Sequence, residues 1–252
     1  MKIALPDSFL DRPIAHRALH DLKDGRPENS SEAIAGAIEA GFGIEIDLQM
    51  SSDGVAVCFH DYTLDRLTDE TGPVQKRTAE ALTKIVPTGG RAGIPLFSDV
   101  LRQVAGQVPL LVEIKDQDGT LGENVGALEE AVAAELRSYR GPVAVMSFNP
   151  HSIALTQSLA PQVPRGLVTE AFKSGVWPIP EPRLNELRDI PDFDRVSASF
   201  ISHDVKDLTS PHVARLKERG VPILCWTVRS AEVEANARQI ADNVTFEGYL
   251  PG

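Results

Sequence analysis

Cysteine is nearly absent from this chain: 252 residues contain two, Cys58 and Cys225. Both sit inside apolar runs, VAVCF and PILCWTV, where a thiol behaves as a small buried hydrophobe. A disulfide framework is thereby excluded, and nothing suggests a zinc site. Basic charge is also in deficit, with 25 Lys and Arg against 36 Asp and Glu, a net charge of −11. The chain has no basic run of five or more residues, so it lacks the electrostatic footprint of a nucleic-acid-binding surface. No apolar run reaches the roughly 18 residues of a membrane-spanning helix. The first residues, MKIALPDSFLDRP, have no apolar core, because Pro6 and Asp7 interrupt them. Low-complexity tracts and Gly/Ser linkers are missing too. These absences lead us to expect a cytoplasmic protein without a signal peptide, with no stable membrane insertion and no nucleic-acid partner.

What the chain does have is 42% hydrophobic residues, in a length that suits one α/β barrel or two small domains. Short apolar runs alternate with helical patterns. Strands are expected at 14–17, 43–49, 109–115, 143–148, 166–169, 195–200, 221–228 and 243–249. Most are too short and too rich in Val, Ile and Leu for helices, and they fit buried parallel strands. Helix starts lie between them. Ser30 or Ser31 precedes EAIAGAIEAG, whose Ala33, Ala37 and Ile38 share a face, and Gly41 stops it. Ser98 precedes DVLRQVA, and Asn149-Pro150 and Ser210-Pro211 each set a capping side chain before a first-turn proline. Further helices are expected at 128–136 and at 231–240, the latter behind Ser230. Eight alternations predict a (β/α)8 TIM barrel, read as a single catalytic barrel domain over 1–252. About 60 residues separate the second strand from the third, far beyond what a parallel crossover needs. The apolar run 55–60 reads as an extra strand, and 51–95 as a small insertion on the catalytic face. No eighth helix is expected after the last strand. The apolar strip left there could be covered by a second copy, making a homo-oligomer.

Catalytic groups in such barrels stand where strands end. His16 and Arg17 end the first expected strand. Glu45 and Asp47 end the second, and their i, i+2 spacing points both carboxylates to one side. His60 ends the extra strand, and Glu113 and Lys115 end the third. In a barrel these strands are neighbours, so the seven residues converge on one rim. A Glu-x-Asp can be a solvated edge pair, but here its surroundings, GIEIDLQM, are apolar. Two inward carboxylates repel one another and lose solvation unless a cation joins them. With Glu113 they offer three hard oxygen donors, suited to one divalent cation, Mg²⁺ or Ca²⁺, better than to zinc. Two histidines beside them suit a general acid and base. Arg17 as a fork and Lys115 as a point charge suit a phosphate. His20, His151, His203 and His212 lack convergent partners and are read as surface residues.

These residues spell out a pattern. His16-Arg17, Pro27-Glu28-Asn29, Glu45-x-Asp47, Asp53-Gly54, His60-Asp61, Leu64-Asp65-Arg66-Leu67-Thr68, Glu113-Ile114-Lys115 and Trp226-Thr227-Val228 follow one another in the order found in the glycerophosphodiester phosphodiesterases. The resemblance covers nearly the whole chain. It implies a (β/α)8 barrel with an insertion after the second strand, and metal-dependent hydrolysis of a small glycerophosphodiester to sn-glycerol 3-phosphate and an alcohol. By motif match it implies Glu45, Asp47 and Glu113 as metal ligands and His16 and His60 as acid and base. Arg17 and Lys115 would contact the phosphate, Asn29 would support the first loop at the substrate site, and Trp226 would form an apolar wall. The chain departs from the pattern at Ala18, where the family usually has glycine, and in its ending FEGYLPG, where an Asp-containing turn is usual. The loop AFKSGVWPIPEPRL adds Phe172, Val176 and Trp177 as candidates for shaping the alcohol pocket. A lysophospholipase D-like phosphodiesterase and a non-catalytic phosphodiester-binding barrel are the alternatives. A glycosidase built on Glu45 and Glu113 would have no use for the paired cations.

Overall fold

A computed structural model of the chain describes residues 3–251. Eight parallel strands close into a barrel: β1 (Ile14–Ala15), β2 (Gly43–Met50), β4 (Leu110–Ile114), β5 (Val143–Ser147), β6 (Arg165–Thr169), β7 (Phe200–Asp204), β8 (Ile223–Val228) and β9 (Asn243–Phe246). Closure comes from β1, which pairs in parallel with both β2 and β9. The ninth strand, β3 (Ala56–Cys58), runs antiparallel to the far end of β2, with Leu48 opposite Cys58 and Met50 opposite Ala56.

Side-chain alternation divides each strand between two cores. Ile44, Ile46, Leu48, Val112 and Ile114 face outward into an apolar layer shared with the helices. Ile14, Leu111, Ala144, Val168, Phe200 and Leu224 fill the barrel, and Leu5 and Phe9 of the N-terminal segment pack into that inner cluster. Gly166 belongs there for space: a Cβ on it would lie 2.4 Å from the Phe200 ring. Outside β9, Phe42 and Tyr249 close edge-on over Phe246, with ring centroids at 4.9 and 5.8 Å. Among the described residues no helix follows β9, and no helix is long and apolar enough to cross a membrane.

Helix Ser31–Ala40 opens on Ser30, whose hydroxyl accepts from the Ala33 amide, and closes on Gly41 at φ 71°. Such a cap stabilises a helix by about 1 kcal/mol. Helix Phe97–Val104 begins without a side-chain cap, one residue before the expected Ser98. Phe97 is fully buried and draws the first turn into the core. The expected strand at 195–200 is corrected. Residues Asp192–Arg195 form a short helix, and the strand is Phe200–Asp204. Its polar end, Ser202-His203-Asp204, lies in the sheet because His203 finds a buried partner in Thr169 of β6, 2.8 Å away. The first expected strand, 14–17, also stops early, at Ala15.

The long connection from β2 to β4 carries β3, a short helix Ala79–Leu82, and a small core of its own built on Val57, Phe59, Leu64, Val74, Leu82 and Ile94. Directly after β3 this segment delivers His60 and Asp61 to the C-terminal rim of the barrel.

Candidate active site

Glu45 and Asp47 face inward because Ile44, Ile46 and Leu48 face out. The β2–β4 register sets Glu113 opposite Asp47. All three are buried, and one carboxylate oxygen from each lies within 4.8 Å of the others. Burial, then the charges of Asp47 and Glu113, push the Glu45 carboxyl well above the usual carboxylate range. Burial acts on Asp47 in the same sense. There it is more than offset by Lys115, His60 and Arg17 and by the Asn29 amide, which hold the group well below its usual range. The Lys115 ammonium lies 2.9 Å from Glu113 and 3.1 Å from Asp47. Burial would lower its pKa, but these two carboxylates raise it above the ordinary lysine value. Three buried hard-oxygen donors, one of them poorly compensated as an anion, fit a divalent cation.

The loop after β1 is bent so that it can reach this cluster. Arg17 and Ala18 adopt left-handed backbone, φ 52° and 63°. That turn aims the Arg17 amide at the Glu45 carboxylate, 2.7 Å away. The guanidinium donates Nη1 to Glu28 at 2.7 Å, while its Nε is buried without a hydrogen-bond partner, 3.7 Å from Asp47. Glu28 in turn takes two bonds from Arg66, and Arg66 takes Asp61 with two more. Arg17, Glu28, Arg66, Asp61 and His60 thus form one ionic chain from β1 to the insertion. Asn29 lies behind Asp47, donating to its carboxylate at 2.9 Å and accepting its amide at 3.1 Å. Only 2% of Asn29 is exposed, and it holds a carboxylate in place; it is not among the residues that line the cavity.

Each histidine is held by a carboxylate. His16 Nδ1 is 2.5 Å from Glu247 and His60 Nδ1 is 2.6 Å from Asp61. With Nδ1 engaged, Nε2 is the nitrogen left for chemistry. Burial lowers the His16 pKa, and the bond to Glu247 offsets only part of that. For Glu247, burial is outweighed by the bond from His16 and by the nearby His20 and Arg229, so its pKa is held well below the usual range. His20, expected at the surface, stands 3.6 Å from Glu247. His203, also expected there, is 1% exposed.

Two cavities meet at this rim. An inner one of about 150 Å³ is lined by His16, Arg17, Asp47, Thr227 and Arg229, among others. An outer one of about 650 Å³ is lined by Tyr62, Leu121, Glu170, Val176 and Trp177, among others. His60, Glu113, Lys115, Phe148 and Trp226 border both. All seven residues expected on the rim therefore face one space, and Trp226 forms part of its wall. Its indole donates to the Ser202 carbonyl at 3.0 Å. Val176 and Trp177 reach the outer cavity, whereas Phe172 is buried beneath Phe148 and Trp177. Sequence reasoning missed Glu28, Asp61, Arg66, Arg229, Glu247 and Glu170 as members of the site. The first three lay inside the motifs, and Glu247 lay in the ending FEGYLPG where an acidic turn is usual, but Arg229 and Glu170 carried no signal.

Residues 16–245 match the family described as Glycerophosphoryl diester phosphodiesterase family. Among its relatives, a glycerophosphodiester phosphodiesterase of Caldanaerobacter subterraneus subsp. tengcongensis is 28% identical over 241 residues, covering 92% of this chain and 91% of that protein. A glycerophosphodiester phosphodiesterase of Bacillus subtilis is 25% identical over 261 residues, covering 94% and 81%. Among solved structures, an Oleispira antarctica phosphodiesterase in complex with the product sn-glycerol-3-phosphate superposes with a TM-score of 0.77 at 22% identity, covering 95% of this chain and 94% of that one.

Proposed function

This chain belongs to the glycerophosphoryl diester phosphodiesterase family, and from that premise we propose that it hydrolyses glycerophosphodiesters to sn-glycerol 3-phosphate and an alcohol. One observation carries the reading. Three buried carboxylates, two carboxylate-held histidines and the cations Arg17 and Lys115 border a single cavity of about 150 Å³. Its shape and charge suit a phosphate group whose ester arm continues into the outer cavity. The segment 51–95 is read as an insertion on the catalytic face that brings His60 to the reaction.

Glu45, Asp47 and Glu113 would hold a divalent cation, Mg²⁺ or Ca²⁺ by donor type. When bound, that ion supplies positive charge to offset a phosphate oxygen. The remaining steps fall to the chain's own side chains. Arg17 turns its partnerless Nε toward the phosphate, and Lys115 adds a point charge, together stabilising the negative charge that develops at phosphorus. His16 is kept neutral by burial, with Glu247 fixing Nδ1, so its Nε2 takes the proton from the nucleophile, either water or the glycerol 2-hydroxyl, whose cyclic phosphate water then opens. His60 borders both cavities, which puts it beside the departing alkoxide, and it gives that oxygen a proton. Asn29 keeps Asp47 oriented, and Trp226 walls the ester arm.

The test is release of glycerol 3-phosphate from a panel of glycerophosphodiesters, with and without a chelator. His16→Ala and His60→Ala should each lower kcat by at least about 100-fold, the usual contribution of a positioned acid or base. Parent-like turnover in both variants would sink the acid–base assignment.

A further inference from the structure

The two cavities differ in their balance of charge. The inner one sets Arg17, Lys115 and Arg229 against Glu45, Asp47 and Glu113. The outer one gathers Asp61, Asp116 and Glu170, beside the Glu113 that both share. Lys115 is the one Lys or Arg side chain among the residues lining the outer cavity, and Asp47 and Glu113 already engage it. The outer wall is aromatic. Phe148 lies 5.1 Å from Trp177 and 5.6 Å from Trp226, centroid to centroid. Glu170 accepts the Trp177 indole N–H at 2.5 Å and so fixes that ring.

We propose that the outer cavity is a subsite for a cationic leaving group, a quaternary ammonium of the choline class. This rests on the phosphodiesterase reading of the inner cavity, which orients the ester arm outward. Aromatic faces attract such a cation, and nearby acid charge adds to the attraction. The acids favour an ammonium that needs no hydrogen bonds, because all the oxygens of Asp61 and Asp116 and one of Glu170 are already in use. Asp116 takes the Asn149 amide and the backbone amides of Asp118, Gly119 and Leu121. Asp61 takes His60 and Arg66, and Glu170 takes Trp177. What remains is negative field and π surface, with one Glu170 oxygen left open. Lys173, on the far side of Glu170, lines a neighbouring cavity, not this one.

The molecule carries its own reporter. Its two tryptophans, Trp177 and Trp226, both line the outer cavity. Titrating the protein with choline, and separately with its neutral carbon isostere 3,3-dimethylbutan-1-ol, should change the tryptophan emission. Choline should bind about ten-fold more tightly, the ratio expected of a partly desolvated cation–π site. Glu170→Gln should reduce that ratio several-fold. Equal or tighter binding of the neutral alcohol overturns the proposal and leaves a merely apolar chamber. Absence of any choline-dependent change overturns it as well. The parent comparison decides this alone, whether or not the variant folds. Turnover separates the two readings. Equal kcat/KM for glycerophosphocholine and glycerophosphoglycerol removes the ammonium subsite and leaves the phosphodiesterase standing. If no diester is cleaved, the phosphodiesterase reading falls, and choline binding still decides the subsite. Glycerophosphocholine and lysophosphatidylcholine carry the same ammonium. The larger kcat/KM of the two, read as glycerol 3-phosphate or lysophosphatidate release, identifies which one supplies it.

Discussion

His16 and His60 each lean on one carboxylate, and the two carboxylates differ in what else they hold. Glu247 gives one oxygen to His16 and the other to Arg229, 2.7 Å away. In Glu247→Gln the ring keeps an acceptor but loses the charge that would steady it once protonated. Steady-state kinetics should show kcat down about 10–100-fold with KM little changed. A parent-like kcat would count against His16 as the base. Asp61 instead ties His60 to Arg66. Burial pushes its carboxyl up, yet the bonds from Arg66 and His60 outweigh this and hold it below the usual range. A depressed folded-state pKa gives stability that is fully present above the unfolded value of about 4 and is lost as pH falls toward the folded one. Asp61→Asn should therefore cost on the order of 1–2 kcal/mol at pH 7, as for a lost hydrogen bond to a charged group. Urea melts at pH 3 should show a narrower gap, and a constant gap would mean that the charge of Asp61 contributes nothing.

At the scale of an element, the loop after β1 is the most constrained piece of the site. Ala18 occupies a left-handed position, is 1% exposed, and its amide bonds the Glu45 carbonyl at 2.9 Å. Glycine there would relieve about 1–2 kcal/mol of backbone strain, but it would lose a buried methyl and add chain entropy to the unfolded state. Ala18→Gly should accordingly stay within about 1 kcal/mol of the parent. Ala18→Val, branched at Cβ, should lose more than about 2 kcal/mol. Denaturant midpoints for the pair test this, and a tolerated valine would remove the constraint. The strands were legible wherever apolar residues dominate them, as in β2, β4 and β8. Glu45, Asp47 and Glu113 were legible because a carboxylate inside such a run needs a cation. β7 was misplaced because its end, Ser202-His203-Asp204, is polar and resembles a loop, and the buried bond of His203 to Thr169 lies on the neighbouring strand. Glu247 and His20 could not be paired from sequence, since 227 residues separate them (247 less 20) and only barrel closure brings them together. Glu28, Asp61 and Arg66 stood in plain view, but linear spacing says nothing of a chain of ion pairs.

For the molecule as a whole, the acidic centre sets function against stability. A cation that binds only the folded chain stabilises it by about 2.7 kcal/mol at 100 times its Kd. For a chain of this size that should raise Tm by about 5–10 °C. Glu45→Gln removes one of three mutually repelling charges. It should raise the Tm of the metal-free protein by about 2–4 °C and abolish the rise on adding Mg²⁺ or Ca²⁺. Thermal melts with and without chelator test both outcomes, and an undiminished metal response in Glu45→Gln would remove Glu45 from the ligand set. The pairing of β1 with β9 has a consequence in time. On a ribosome adding about 5–20 residues per second, β1 emerges on the order of 10–50 s before β9 exists to receive it. Asn243, in β9, also bonds the carbonyls of Phe9 and Arg12 at 2.8 and 2.6 Å, so an early-made segment is fastened by a much later one. His16 and Arg17 ride on β1. Until β9 has been made, the nascent protein holds its acids and His60 without the other half of its chemistry in place, and it cannot act on a substrate before the barrel closes.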